Sequence, residues 1–173
     1  MVEDVTEVLV RPATPDDAEQ IAAVHIASWR EAYADVLPED FLAGLDVSTR
    51  TGDWHEILTD TPRGVNVWVA EDEGRIVGFA SLGPSRDEDA ERATMEIYAI
   101  YLEPSAWGHG IARELMRTVL AAVPDGAPVT LWSLDSNARA NHFYRRNGFM
   151  RDGVEKVEEI GGQFYTEVRH RRG

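Results

Sequence analysis

"TMEIYAIYLEPSAWGHGIARELMRTVLAAV", residues 94–123, changes its apolar period once and in doing so sets the architecture. Its first nine residues alternate as a strand, with Met95, Ile97, Ala99 and Tyr101 expected on one face and Glu96, Tyr98, Ile100 and Leu102 on the other. Pro104 ends that run. From Ile111 the spacing becomes helical, with Ile111, Leu115, Val119 and Ala122 on one side. Between strand and helix lie Trp107, Gly108, His109 and Gly110. A helix start presents unpaired N–H groups that can hold an anion, and glycines let a ligand approach them. No Gly-Lys-Ser/Thr follows and the three-glycine dinucleotide spacing is absent, so neither nucleotide fingerprint applies. A tight turn and a phosphate cradle both fit, with His109 beside the anion or simply exposed.

Outward from this unit, "TPDDAEQIAAVHIASW" (14–29) carries a capping signal at Thr14, Pro15 and Asp17, then Ala18, Ile21, Ala22, His25 and Trp29 at helical spacing. Helical patterns continue, broken at Pro38, to "STRTGDWHEIL" with Trp54, Ile57 and Leu58. "NVWVAEDEGRIVGFASL" (66–82) reads as a hairpin turning at "DEGR", and the acidic "GPSRDEDAERA" as an exposed loop. "VTLWSL" is a strand, "SNARANHFYRRNGF" (136–149) a short helix stopped at Gly148, and "GGQFYTEVRHRR" a final strand or hairpin arm. The order predicts one α/β domain over 1–173, a mixed sheet with helices packed on it and right-handed crossovers in its strand–helix–strand units.

Composition narrows the chemistry. The 173 residues are 43% hydrophobic and include no cysteine, which excludes disulfides, thiolate nucleophiles and cysteine-ligated zinc. Seventeen basic against 31 acidic residues give a net charge of −14, disfavouring nucleic acid and favouring a cationic partner. The opening "MVEDVTEVLV" is neither basic nor long and apolar, and no run of about 18 apolar residues occurs, so a cytoplasmic protein without membrane segments is expected. The five histidines form no pair at metal-ligand spacing, and no serine sits in a nucleophile elbow; neither a metal nor an acyl-enzyme is expected.

In the second motif, Asn137 can cap the helix or bond a ligand. Tyr144 shares an inward face with Ala140 and Phe143, as core or as a proton donor. Together the two motifs, "EIYAIYLEPSAWGHGIAREL" and "SNARANHFYRRNGF", resemble the GCN5-related N-acetyltransferase (GNAT) family, and the similarity runs over nearly the whole chain. The family places Gln or Arg, two residues, Gly, one residue, then Gly or Ala before its helix; Gly110 and Ala112 match, and Trp107 replaces the polar residue.

The resemblance implies a mostly antiparallel sheet with helices on both faces, and acetyl transfer from acetyl-coenzyme A directly to a primary amine of a small molecule or a peptide or protein N-terminus. It implies that Ile100, Tyr101 and Leu102 pair with the pantetheine arm, and that the amides of Trp107, Gly108, His109, Gly110, Ile111 and Ala112 hold the pyrophosphate. It further implies that Asn137 contacts the pantetheine, that Tyr144 protonates the thiolate, and that Trp29 and Tyr33 line the acceptor pocket; Tyr98, by its place on the strand, either lines that pocket or packs. A homodimer follows by analogy. Strand alternation sets Glu96 beside Tyr98 and Ile100, where it can accept the amine's proton or be a salt-bridged glutamate. The alternatives are a non-catalytic acyl-coenzyme A-binding or regulatory domain on the same fold, and a plain α/β domain without cofactor.

Overall fold

The computed structural model describes residues 8–173. The opening segment, residues 1–7, read above for a secretion signal, lies outside them.

The hairpin signal is realised as β2 (Asn66–Asp72) and β3 (Arg75–Pro84), joined by Glu73 and Gly74 at φ 50° and 79°. Two central residues with positive φ make the tight turn whose twist matches that of paired strands. β1 (Leu9–Pro12) pairs with β2, and β4 (Met95–Leu102) with β3, all antiparallel. β4 then pairs parallel with β5 (Val129–Leu134) through the crossover helix α4 (Ile111–Ala121). β6 (Met150–Ile160) and β7 (Gln163–Arg172) form the last hairpin, and β7 inserts beside β5. The seven-stranded order is β1-β2-β3-β4-β5-β7-β6. Since β7 is antiparallel to both β5 and β6, those two run parallel, and helix α5 (Ala138–Arg146) is a second crossover that steps over one strand.

Helices α1 (Ala18–Ala32), α2 (Glu39–Ala43) and α3 (Val47–Thr59) precede the sheet in sequence. Helix α1 follows one turn of 3₁₀ helix at Pro15–Asp17, and the Asp17 carboxylate accepts the Thr14 N–H (2.8 Å) and both terminal nitrogens of Arg11. One sheet face packs Ile21, Ala22 and Trp54 against Val69 and Phe79; the opposite face packs Ile111, Leu115 and Val119 against Leu82, Ile97 and Leu131. Ala122, expected on the buried side of α4, is its exposed C-cap.

The alternation expected for β4 fails at one residue. Ser81 pairs with Ala99 and Leu82 with Ile97, so Tyr98 is an extra residue in a β-bulge. Ile97 therefore shares the α4 face with Ile100 and Leu102, while Ala99 and Tyr101 face α1. Glu96 falls on the face of Ala99 and Tyr101, not that of Ile100. Gly83 makes room for the bulged ring: a Cβ there would overlap the Tyr98 hydroxyl.

The loop after β3, expected to be simply exposed, is tied down. Arg169 of β7 binds Asp87 and Asp89, and Trp132 Nε1 of β5 donates to Asp87 (3.0 Å), strapping the loop to the sheet.

Candidate functional site

β4 and β5 pair only at Met95–Val129 and Glu96–Thr130, then part. Beyond that point the side of β4 turned away from β3 has no strand partner among the described residues, and its backbone groups face a cleft. The far end of this opening is closed by Trp107, whose Nε1 donates to the Leu102 carbonyl (3.1 Å). Ile100, Tyr101 and Leu102, the expected backbone window, lie along this stretch, and the Leu102 oxygen is already in use.

After β4 comes a 3₁₀ turn, Pro104–Ala106, and then the glycine turn. Gly108 and Gly110 have φ of 80° and 79°, a conformation that disfavours side chains, and a Cβ at either would meet open space. The first amides of α4, from Ile111 and Ala112, have no carbonyl one turn earlier and point out of the helix start. Trp107 differs from expectation. Its amide is spent on the Pro104 carbonyl (3.1 Å), so it is not free to bind an anion, but its indole carries the Arg139 guanidinium 3.7 Å above the ring. Among the described residues no carboxylate pairs with Arg139. Helix α5 thus sets a cation beside the glycine turn. His109 is exposed and lines an open hollow with Arg75 and Glu103.

On the other side of the cleft, Asn137 caps α5 by accepting the Ala140 N–H (3.2 Å), and its Nδ2 donates to the Tyr33 hydroxyl (3.2 Å). Both parts of its side chain therefore hold the fold together, joining α5 to the end of α1. Tyr144 is buried, with its ring against Phe143, Phe149 and His170. Burial pushes its hydroxyl well above the usual tyrosine range, with Tyr101 and Tyr33 near enough to add to the shift. A network that sequence reading missed seats this helix. Asn141 donates to the Leu134 and Asp135 carbonyls, and its Oδ1 meets Ser133 and His170 Nε2. The serine and histidine are buried beneath α5, where they anchor it. Their only signal is an Asn inside a helix, which needs a polar partner when buried.

The α1 side of the cleft is aromatic. Tyr101 stacks on His25 (5.2 Å between ring centres), and Trp29 meets His25 and Tyr33 edge-on. His25 Nδ1 and Trp29 Nε1 are buried without a hydrogen-bond partner among the described residues. Burial lowers the His25 imidazole to about 4, so it is neutral at pH 7. Tyr98 lies apart from this group: its hydroxyl donates to the Pro84 carbonyl and Arg86 covers its ring.

Of the two readings of Glu96, open proton acceptor or salt-bridged glutamate, the structure shows the salt bridge. Its side chain is 3% exposed; Oε1 accepts the Arg86 N–H (3.0 Å) and Oε2 the Arg86 guanidinium (2.8 Å). Among the described residues, no group of three or more His, Asp or Glu could hold a metal, and no helix is long and apolar enough to cross a membrane.

The acetyltransferase (GNAT) family model matches residues 25–149. An uncharacterised N-acetyltransferase of Bacillus subtilis, YuaI, is 39% identical over 110 residues, covering 63% of this chain and 60% of that protein. The uncharacterised N-acetyltransferase Rv2669 of Mycobacterium tuberculosis is 34% identical over 141 residues, covering 80% and 86%. Among solved structures, the PaiA N-acetyltransferase of Thermoplasma acidophilum in complex with coenzyme A superposes with a TM-score of 0.69 at 18% identity, covering 96% of this chain and 98% of that one. That likeness concerns the fold.

Proposed function

Because this chain belongs to the acetyltransferase (GNAT) family, we propose that it transfers the acetyl group of acetyl-coenzyme A directly to a primary amine of a small molecule or of a peptide or protein N-terminus. The observation that carries this reading is the parting of β4 and β5 beyond Glu96, with the glycine turn at one end and Tyr144 beside it.

The residues fit such a ligand. An extended pantetheine arm finds unpaired backbone on β4; the pyrophosphate finds the amides of Gly108 to Ala112 and the Arg139 cation. Acetyl-coenzyme A supplies an activated acyl thioester. Tyr144, kept protonated by burial, holds a proton where a thiolate would leave. Trp29, Tyr33 and Tyr101 form the acceptor wall. With 31 acidic residues against 17 basic ones, the surface attracts a cationic amine.

A panel of amines assayed for coenzyme A release tests this. With an accepted amine, Tyr144→Phe lowers kcat by about 10²–10⁴-fold and leaves acetyl-coenzyme A affinity within about twofold. If acetyl-coenzyme A raises the melting temperature but no amine releases coenzyme A, the non-catalytic acyl-coenzyme A-binding reading replaces this one.

A further inference from the structure

We propose that Glu167 is the carboxylate that receives the acceptor's ammonium group and takes its proton, a reading that rests on the acetyl transfer proposed above. Glu96, the carboxylate the sequence points to, is closed to an amine unless Arg86 leaves. Glu167 is placed differently. It sits on β7 between Leu134 of β5 and Lys156 of β6, on the face it shares with Tyr165 and Arg169. The turn that follows α1 covers that face: Tyr165 donates to the Val36 carbonyl (3.1 Å), and Leu134 packs with Tyr33. This is the acceptor side of the cleft.

Its side chain is 21% exposed, so a ligand can reach it while most of its surface is out of water. Oε2 lies 3.5 Å from Lys156 Nζ, and that ammonium is shared with Glu158 (3.7 Å) and the Trp132 ring (4.2 Å). Oε1 has no hydrogen-bond donor among the described residues. The charged and titratable groups facing Glu167 are Lys156 and Glu158 of β6, the hydroxyls of Tyr33 and Tyr101, and Arg169, which is taken up by Asp87, Asp89 and Asp152. Burial holds the Glu167 carboxyl above the usual range; Lys156 opposes this and Glu158 adds to it. A carboxylate raised toward neutrality is a better base near pH 7 than an exposed one.

The protons balance. An acceptor ammonium loses one proton to Glu167, directly or through one water, and Glu167 returns it to solvent. The neutral nitrogen then attacks the thioester carbonyl carbon; the N–C bond forms and the C–S bond breaks. Tyr144 protonates the leaving thiolate and is reprotonated by the second proton shed from nitrogen.

The test is the pH dependence of kcat/KM with the best amine of the panel, alongside acetyl-coenzyme A binding. Glu167→Gln is expected to lower kcat/KM by about 10²-fold, abolish the acidic limb and leave acetyl-coenzyme A binding unchanged. Lys156→Met is expected to move the acidic limb to higher pH, because the carboxyl loses its counter-ion. A limb set by the amine itself would stay fixed in every variant. The assignment is overturned if folded Glu167→Gln keeps the limb, whatever its rate, or, should that variant not fold, if Lys156→Met leaves the limb in place. Either result leaves the transferase reading intact. Absence of coenzyme A release by the wild type with every amine overturns the transferase reading and this assignment with it.

Discussion

Arg169→Met separates the strap from the sheet while keeping the aliphatic stem. The Arg169 side chain is 8% exposed; Nε contacts Asp152 (2.6 Å), Nη1 contacts Asp87 (3.2 Å) and Asp89 (2.7 Å), and Nη2 contacts Asp89 (2.9 Å). Removing the cation leaves the Asp87 and Asp152 carboxylates, 14% and 17% exposed, without their counter-ion, holding only the hydrogen bonds from Trp132 Nε1 and the Val154 N–H. Breaking a buried pair costs about 3–5 kcal/mol, and these pairs keep some contact with water, so about 3 kcal/mol at neutral pH is expected. For a chain of this size that is a fall in Tm of about 6–12 °C. The sign with pH follows from Asp89, whose carboxyl is held below the usual range by Arg169. Stability from a depressed carboxyl is present above its unfolded value and lost as pH falls through the folded one. The gap between wild type and variant therefore narrows below about pH 4. Thermal unfolding followed by circular dichroism at pH 7 and near pH 3, with hydrogen exchange of residues 85–93, checks all of this. A Tm within about 2 °C of wild type at pH 7, or a gap independent of pH with unchanged loop exchange, refutes the reasoning.

His25, neutral in the fold with its imidazole lowered to about 4, takes up a proton in the unfolded chain below about 6.5. Stability is thus lost as pH falls from about 6.5 to about 4, by up to about 3 kcal/mol, and His25→Phe removes that slope in urea titrations at pH 7, 5 and 4; a slope equal to wild type contradicts it. Arg139→Ala should weaken acetyl-coenzyme A binding about five- to tenfold by calorimetry while the KM for the amine is held, since the cation over Trp107 is then lost. Unchanged affinity would assign Arg139 to packing alone.

The elements with strong local signals were legible from sequence: α4 from its stripe, the hairpin from "DEGR", the helix start from Gly110, and the α5 cap from Asn137. The losses have physical causes. The β4 bulge inserts one residue, and nothing in "EIYAIY" distinguishes a bulged tyrosine from a regular one, so every face assignment before it is inverted relative to those after. Glu96 was misplaced for that reason. β6 has no buried face to impose alternation; Val157 points to solvent and its neighbours are charged. Glu167 and Arg169 owe their surroundings to β7 entering between β5 and β6, a pairing between segments far apart in sequence. The acidic loop reads as solvated because its counter-ion lies about 80 residues away.

Both outer rims of the sheet are defended against pairing with other chains. β1 is four residues long and ends in Pro12, and β6 carries Arg151, Asp152, Glu155, Lys156, Glu158 and Glu159 with a break in register between Arg151 and Glu155. The inner rim of β4 has no such device: Ala99, Ile100, Tyr101 and Leu102 form a charge-free, β-prone run with backbone groups unclaimed beside the cleft. Among the described residues, β5 and the surrounding helices screen this run. The cleft is therefore an unblunted edge enclosed by the fold, and a chain-like ligand lying along it does for β4 what charge does for β6. Loosening the Tyr33–Asn137 contact at its mouth would expose the same residues as a template for aggregation.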